Sequence, residues 1–483
     1  VVKPPELQWT IEVLRQAGLF GAKLSRADLK GILAGKGIEA SHETIDWLIG
    51  RQLPAHGYWI RRQQPHRHWL PNRYWIKSVS PTHWLTDQTR HIKKRHISWH
   101  EQIDADVGPH YYLAISAVAF QAFVDLHRGR PRKWQCLRKD PRIFTLTIDS
   151  FFHHNRVLVS APIADRRKLD FTLKDLFANP DLKIFVDSGG YQIQTGQIKR
   201  DEWTDAMALD YSIRNGTVFP ILDSPVLLNS DFKRNLAETD RSAQYYREHR
   251  PNAGETILNT AHGRDLDEIK RWVEVMSKVE LDGWGLGFLS NRKPKELLKA
   301  AFYMLRSGLL DKAKVLHVFG MSKLRTVLYL TIFLEFVRRY RPDLKFDISY
   351  DSSYPLRTAI YAKFFMFTGF DGAASIRLAK SSDLSRLPDK SFKLCDCPVC
   401  QNTDTNYKRL IEANELQLFF ALHNTCQLIR HQKSIAQLVH MSAGVDGSEL
   451  HQFPKQDAHN MRLIREAFEN IALSETIIDS LSL

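Results

Sequence analysis

The stretch Ile184-Phe185-Val186-Asp187-Ser188-Gly189-Gly190-Tyr191-Gln192 decides how this chain folds. An apolar run that ends on a carboxylate and breaks into a small-residue turn reads as a strand delivering Asp187 to its C-terminal end. A serine and two glycines let the backbone there pass close to a ligand. Taken alone, the D-S-G-G segment favours reading the aspartate as a cap on the following turn. The same rhythm repeats on both sides. β-rich runs fall at 156–160, 183–187, 217–222, 255–259, 283–288, 314–319, 346–350 and 371–376. Amphipathic helical patterns fill the gaps, among them 202–214, 232–249, 265–279, 293–306 and 323–339. Such alternation predicts parallel strands joined by crossover helices, and eight repeats predict an α/β fold of the (β/α)8 TIM-barrel type. An open doubly wound sheet has the same alternation and is the alternative. In a barrel the active mouth lies at the C-terminal ends of the strands. The residues just after each run, Asp187, Asp223, His262, Gly285, Gly287, Gly320 and Asp351, thereby become site candidates.

The chain has 483 residues, too many for one ordinary domain. Residues 1–84 are expected to form a separate module, 85–155 a connector, 156–394 the barrel, and 395–483 a metal element with C-terminal helices. The formal net charge is +14. Residues 1–100 hold 16 Lys and Arg against 7 Asp and Glu, together with seven of the eleven tryptophans and eight of the twenty histidines. Cations interleaved with flat rings suit phosphates and bases. Three short helical patterns, the second and third opened by Ser25 and Ser41, precede two aromatic-rich extended runs, 56–62 and 68–76. Helix, helix, helix and basic hairpin predict a winged-helix-like nucleic-acid module, a small basic helical cap being the plain alternative. No run of 18 apolar residues and no secretory pattern is visible, so the sequence predicts a cytoplasmic protein without a membrane span.

Five cysteines, three of them within Cys395–Cys400, fit a metal site in a reducing compartment better than a disulfide framework. Cys395, Cys397 and Cys400, with His423 on a following helix, make the thiolate and imidazole set of a closed structural zinc site. Three reduced cysteines without metal, or Cys426 in place of His423, are the other readings.

These elements, in order, make residues 156–430 resemble the tRNA-guanine transglycosylase superfamily. Asp187 to Gln192 matches its D-S-G-[GS]-[FY]-Q segment. Tyr350-Asp351-Ser352-Ser353-Tyr354 with Tyr361-Ala362 is similar to the nucleophile segment of the archaeal type, and Leu316-His317-Val318-Phe319-Gly320 is similar to its V-H-L-F-G element. Asp223 in Ile221-Leu222-Asp223-Ser224-Pro225 sits like the family's base-reading aspartate, and the cysteines with His423 match its zinc element. Two places depart from the family. His262-Gly263 stands where Gln-Gly is usual, and the segment from Gly283 to Gly287 matches the fifth-strand loop only loosely.

The resemblance implies Asp351 as nucleophile and Asp187 as general acid and base, with Asp347 as the competing nucleophile. It implies base contacts from Asp223, Ser188, Gly189, Tyr191, Gln192, His262, Gly285 and Gly287, and structural zinc. Because the added mass is N-terminal and winged-helix-like, the chain is most similar to the branch that inserts 7-deazaguanines into DNA. That implies DNA as partner, 7-cyano-7-deazaguanine (preQ0) as incoming base, helper proteins that open the duplex, and a homodimer. A tRNA enzyme of the same chemistry, and an idle barrel kept as a nucleic-acid-binding subunit, are the alternatives.

Overall fold

The computed structural model describes residues 23–25, 31, 34, 58–63, 73–78, 108–115, 117–128, 154–177, 179, 181–250, 254–287, 294–321, 324–361, 363–370, 374–380, 397, 399–400, 416–443 and 453–482. The chain divides into two compact units, Val1–His96 and Ile97–Leu483. In the first, strands β1 (Lys23–Ser25), β2 (Tyr58–Gln63) and β3 (Arg73–Ser78) form an antiparallel sheet in the order β1-β3-β2. The pairing runs from Tyr58 opposite Ser78 to Gln63 opposite Arg73, the hairpin expected from the two aromatic-rich runs. The expected helices of this module lie outside the described residues.

The second unit is built on a closed barrel of eight parallel strands. They are β4 (His110–Ala114), β5 (Arg156–Ser160), β6 (Lys183–Asp187), β7 (Val218–Pro220), β8 (Thr256–Ala261), β9 (Gly283–Leu286), β10 (Val315–Val318) and β11 (Asp347–Ser352), with β11 closing onto β4. Crossover helices include Asp205–Asn215, Phe232–His249, Leu266–Met276, Pro294–Arg306 and Leu324–Tyr340. Thr204, Asp231 and Asp265 cap the first three of these by accepting backbone N–H bonds, as short oxygen-bearing side chains do at N-termini. The barrel thus replaces the open-sheet alternative.

One strand of the barrel differs from the expected set. The run 371–376 does not close it; β12 (Lys363–Phe370) and β13 (Ala374–Lys380) pair antiparallel as a separate two-stranded sheet. The closing strand is β4, inside the segment expected to be a connector, and it is followed at once by the helix Ala117–His127. The barrel therefore includes residues from 110 onward rather than from 156. A strand buried on both faces has no alternation, and only two residues part it from an apolar helix. The stretch 111–126 therefore reads as one continuous helical run.

Strand side chains two apart share a face, so inward positions stack in layers along the barrel axis. Tyr112, Leu158, Phe185, Val218 and Leu258 form the apolar middle, separate from the larger core between strands and helices. Below them, at the N-terminal ends, Arg156, Lys174, Lys183, Glu255, Lys314 and Asp347 line a cavity of about 470 Å³. Above them are Ser160, Asp187 and Asp351. C-terminal helices Lys455–Glu469 and Ser474–Asp479 pack on the outside. There Phe468 meets Phe302 and Phe333 at ring separations of 4.8 and 5.4 Å, and Asp457 accepts from Arg325 and from the Tyr329 hydroxyl. Among the described residues, no helix is long and apolar enough to cross a membrane.

Candidate active site and metal cluster

Asp187 ends β6, and the turn behind it is shaped by small residues. Gly189 has φ +94°, in the left-handed region where a side chain is strained, and a Cβ there would also run into Pro162. Gly190 lets the backbone pass against Asp223, where any side chain would strike the carboxylate. Helix Gly190–Gln194 has Gly189 at its N-cap, and the Gly189 backbone is hydrogen-bonded to the Asp187 carboxyl, so the aspartate also caps the turn behind it. Burial pushes its carboxyl up to about 7, the neighbouring charges of Asp223 and Asp351 push the same way, and the Gly189 backbone opposes them. Asp187 therefore carries its proton into the neutral range, which suits a general acid.

Asp223 is buried and held from two sides. His262 Nε2 lies 2.5 Å from its Oδ2, and the Ser188 hydroxyl donates to its Oδ1 at 3.3 Å. Ser188 is fixed in turn, its carbonyl accepting from Trp203 Nε1 at 2.8 Å. Each carboxylate oxygen has two acceptor sites, so Asp223 keeps capacity for further donors.

Asp351 lies in β11 near its C-terminal end. Its Oδ1 accepts the Gly320 N–H at 2.7 Å and faces His317 Nε2 at 3.3 Å. Gly320 has φ +64°, the turn that aims its N–H back at the carboxylate, and the Met321 N–H donates to the Asp351 carbonyl at 2.8 Å. The competing residue Asp347 starts the same strand. It sits at the opposite end of the barrel, with a side chain 57% exposed and 3.5 Å from His110. Asp351, unlike Asp347, thus lies at the end of the barrel that gathers Asp187 and Asp223.

The remaining expected base contacts separate into different tasks. Tyr191 is 56% exposed on the short helix after Asp187 and is available as a flat ring. Gln192 turns inward, its Nε2 donating to Ser160 Oγ at 3.2 Å. His262 is spent on Asp223, and its buried Nδ1 lies against Gly287, where a Cβ would overlap the ring. His262 is thereby engaged with Asp223. Gly285 lies within β9, beside Phe319. A Cβ there would meet the Phe319 ring at 2.5 Å, so the glycine makes room for that side chain inside the barrel. Sequence reasoning placed His317 in the V-H-L-F-G-like segment without giving it a role, and missed Ser349, whose only signal is a polar residue at an inward strand position.

Away from the mouth, Cys397, Cys400 and His423 bring their ligand atoms within 4.8 Å of one another, all three buried. The sulfurs lie 3.6 and 3.3 Å from His423 Nδ1. His423 Nε2 sits 2.7 Å from the Phe365 carbonyl, which can only accept, so Nε2 bears the proton and Nδ1 presents its lone pair to the sulfurs. Two thiols and one correctly turned imidazole fit a soft or borderline metal ion. Cys395 lies outside the described residues. The helix carrying His423, Leu416–Ala443, also ties down the segment after Asp351. Asn424 accepts from the Phe365 N–H at 2.6 Å and donates to the Pro355 carbonyl at 3.1 Å.

No protein-family model matches this chain, and no curated protein matches it.

Proposed function

We propose that the protein exchanges a purine base at an N-glycosidic bond of nucleic acid, as a guanine transglycosylase acting on DNA. The observation that carries this reading is the gathering of three carboxylates at one barrel mouth in unlike surroundings. Asp187 is driven toward its protonated form by burial and its two neighbours, while Asp351 is turned by N–H donors. Two carboxyl groups held in such unlike surroundings can share a displacement at a sugar carbon.

In this mechanism one oxygen of Asp351 attacks C1′ and the C1′–N bond breaks, its electron pair passing to the departing guanine. Asp187 gives that guanine its proton. The incoming base, a 7-deazaguanine such as preQ0, then loses a proton to Asp187 and displaces Asp351 from C1′, restoring both carboxyl groups. Asp223 accepts from the adjacent N–H donors of a guanine-like edge; adenine lacks that pair and leaves the remaining acceptor positions of the buried carboxylate unfilled. The target nucleotide must leave its stack to enter the mouth.

The N-terminal unit supplies the case for DNA. Its local charge and aromatic content suit a polyanion, and a winged-helix-like module fits a duplex groove better than the narrow major groove of A-form RNA. Nucleoside mass spectrometry of genomic DNA and bulk tRNA, from cells carrying the wild type or Asp351→Ala, tests the assignment. A deazaguanine nucleoside is expected in DNA of wild-type cells alone. Its confinement to tRNA would move the substrate to RNA, and unchanged pools in both would leave an idle barrel.

We further propose zinc for the cluster of Cys397, Cys400 and His423, with Cys395 as fourth ligand. The ion would supply structural rigidity by tethering the helix that braces the segment after Asp351. Cys400→Ser is expected to lower metal content from one zinc per chain to near none, by atomic emission. It should also cost about 2 kcal/mol or more, roughly 5 °C in melting temperature. An unchanged zinc content would place the metal elsewhere.

A further inference from the structure

The Asp351 carboxylate ends a chain of polar groups that runs down the barrel interior. Asp351 Oδ1 faces His317 Nε2 at 3.3 Å, and on the other side of the ring His317 Nδ1 lies 2.8 Å from Ser349 Oγ. His317 is wholly buried. Its ring stacks on Phe185 at 4.2 Å between centroids, with Phe319 at 4.8 Å and Tyr112 at 5.9 Å set edgewise, so the imidazole is clamped. Burial pushes its pKa down, although Asp351 pulls in the opposite direction, and the ring is neutral at physiological pH.

A neutral imidazole has one N–H, and its placement follows from its two neighbours. Asp351 Oδ1 already accepts the Gly320 N–H, so it faces His317 as an acceptor. Nε2 must then bear the proton, Nδ1 must accept, and the Ser349 hydroxyl must donate. The two donors on Oδ1, Gly320 N–H and His317 Nε2–H, fix the rotation of the carboxylate. Among the described residues no hydrogen bond reaches Oδ2.

We propose that Ser349 and His317 are positioning residues for Asp351. Ser349 fixes the imidazole tautomer, the imidazole holds Oδ1, and Oδ2 is left as the oxygen that meets the reacting carbon. No proton moves along this chain during reaction. The role assigned to Oδ2 rests on the base-exchange reading above; the tautomer does not.

The test has two arms. Long-range ¹H–¹⁵N correlation spectra of labelled full-length protein report which ring nitrogen of His317 is protonated. Nε2 is expected in the wild type, with a mixture of both tautomers in Ser349→Ala. A wild-type ring protonated on Nδ1, or on both nitrogens at neutral pH, overturns the relay. In the second arm, rapid-quench formation of the covalent protein–DNA species is followed for His317→Phe, which keeps the ring packing and loses both hydrogen bonds, and for His317→Gln, which returns an N–H toward Asp351. The Phe variant should slow the step at saturating DNA by about 10–100-fold with half-saturation within about twofold, and Gln should recover most of the loss. A Phe variant as fast as wild type overturns the proposal. Should wild type form no covalent species, the base-exchange reading fails while the spectra still decide the relay.

Discussion

Asp351→Asn is expected to reduce base exchange by on the order of 10⁴-fold or more, because it removes the atom that holds the sugar after the glycosidic bond breaks. The measurement is incorporation of labelled guanine into duplex or single-stranded DNA, which needs no knowledge of the natural incoming base. The substitution is nearly isosteric. The carboxamide oxygen can still accept from the Gly320 N–H, now at 2.7 Å, so folding and DNA affinity should change little. The loss belongs in the rate at saturation. Asp347→Asn, at the far end of the same strand, should leave exchange within about threefold of wild type, as expected for a group outside the reacting centre. Equal losses in the two variants would remove the distinction between the ends of β11.

Asp187→Asn should act in two opposite directions. Exchange should fall by about 10²–10⁴-fold, the usual worth of a general acid and base. Stability should rise. In the folded protein this carboxyl keeps its proton up to about 7, whereas the unfolded chain releases it near the ordinary value of 3.8. The folded state therefore binds the proton more tightly. It loses stability relative to the unfolded state as pH climbs from about 4 to about 7, and the cost is constant above that. Asparagine cannot ionise, so the variant should gain nothing at pH 4 and on the order of 2–3 kcal/mol at pH 8, discounted for the partial exposure of the site. Urea unfolding at the two pH values measures this difference. A gain independent of pH would mean that Asp187 is not held protonated. In the wild type, the step that needs the proton should weaken as pH rises through 7.

The proposed general acid would serve chemistry at the expense of stability, a common trade, and the surroundings of Asp187 show how its raised pKa arises. Trp203, Ser188 and Gly189 close the turn, Gly190 brings Asp223 against it, and Asp351 faces it across the mouth. Nothing in Ile184–Gln192 alone reveals these neighbours. What was legible was the strand, the turn and the repetition, since those depend on local composition. Seven of the eight barrel strands follow from it. The eighth was not legible because composition does not name a partner: 371–376 has the makings of a strand, but it pairs antiparallel with β12, while β4 merges in sequence with the helix after it.

Asp347 and Asp351 show a second limit. They lie four residues apart on one strand, so the alternation that places side chains inside or outside treats them alike. Only the direction of the strand in the closed barrel separates them, one beside His110 and the other beside Gly320. His262 and Gly285 show a third. Position at a strand end marked both only as site candidates, and it did not show that His262 Nε2 turns to Asp223 or that Gly285 leaves the space taken by Phe319. Side-chain direction inside a barrel depends on what fills the adjacent strand, and His317 and Ser349 went unassigned for the same reason.

The claim on which the account rests is that Asp351 bonds to a sugar carbon of nucleic acid. Incubating the full chain with guanine-containing DNA, denaturing it, and mapping the linked peptide by mass spectrometry measures that bond directly. The account predicts a species that survives denaturation, with the nucleotide sugar attached at Asp351, absent from Asp351→Asn and discharged by added guanine. A covalent species that persists in Asp351→Asn, or one mapped to another residue, would contradict it.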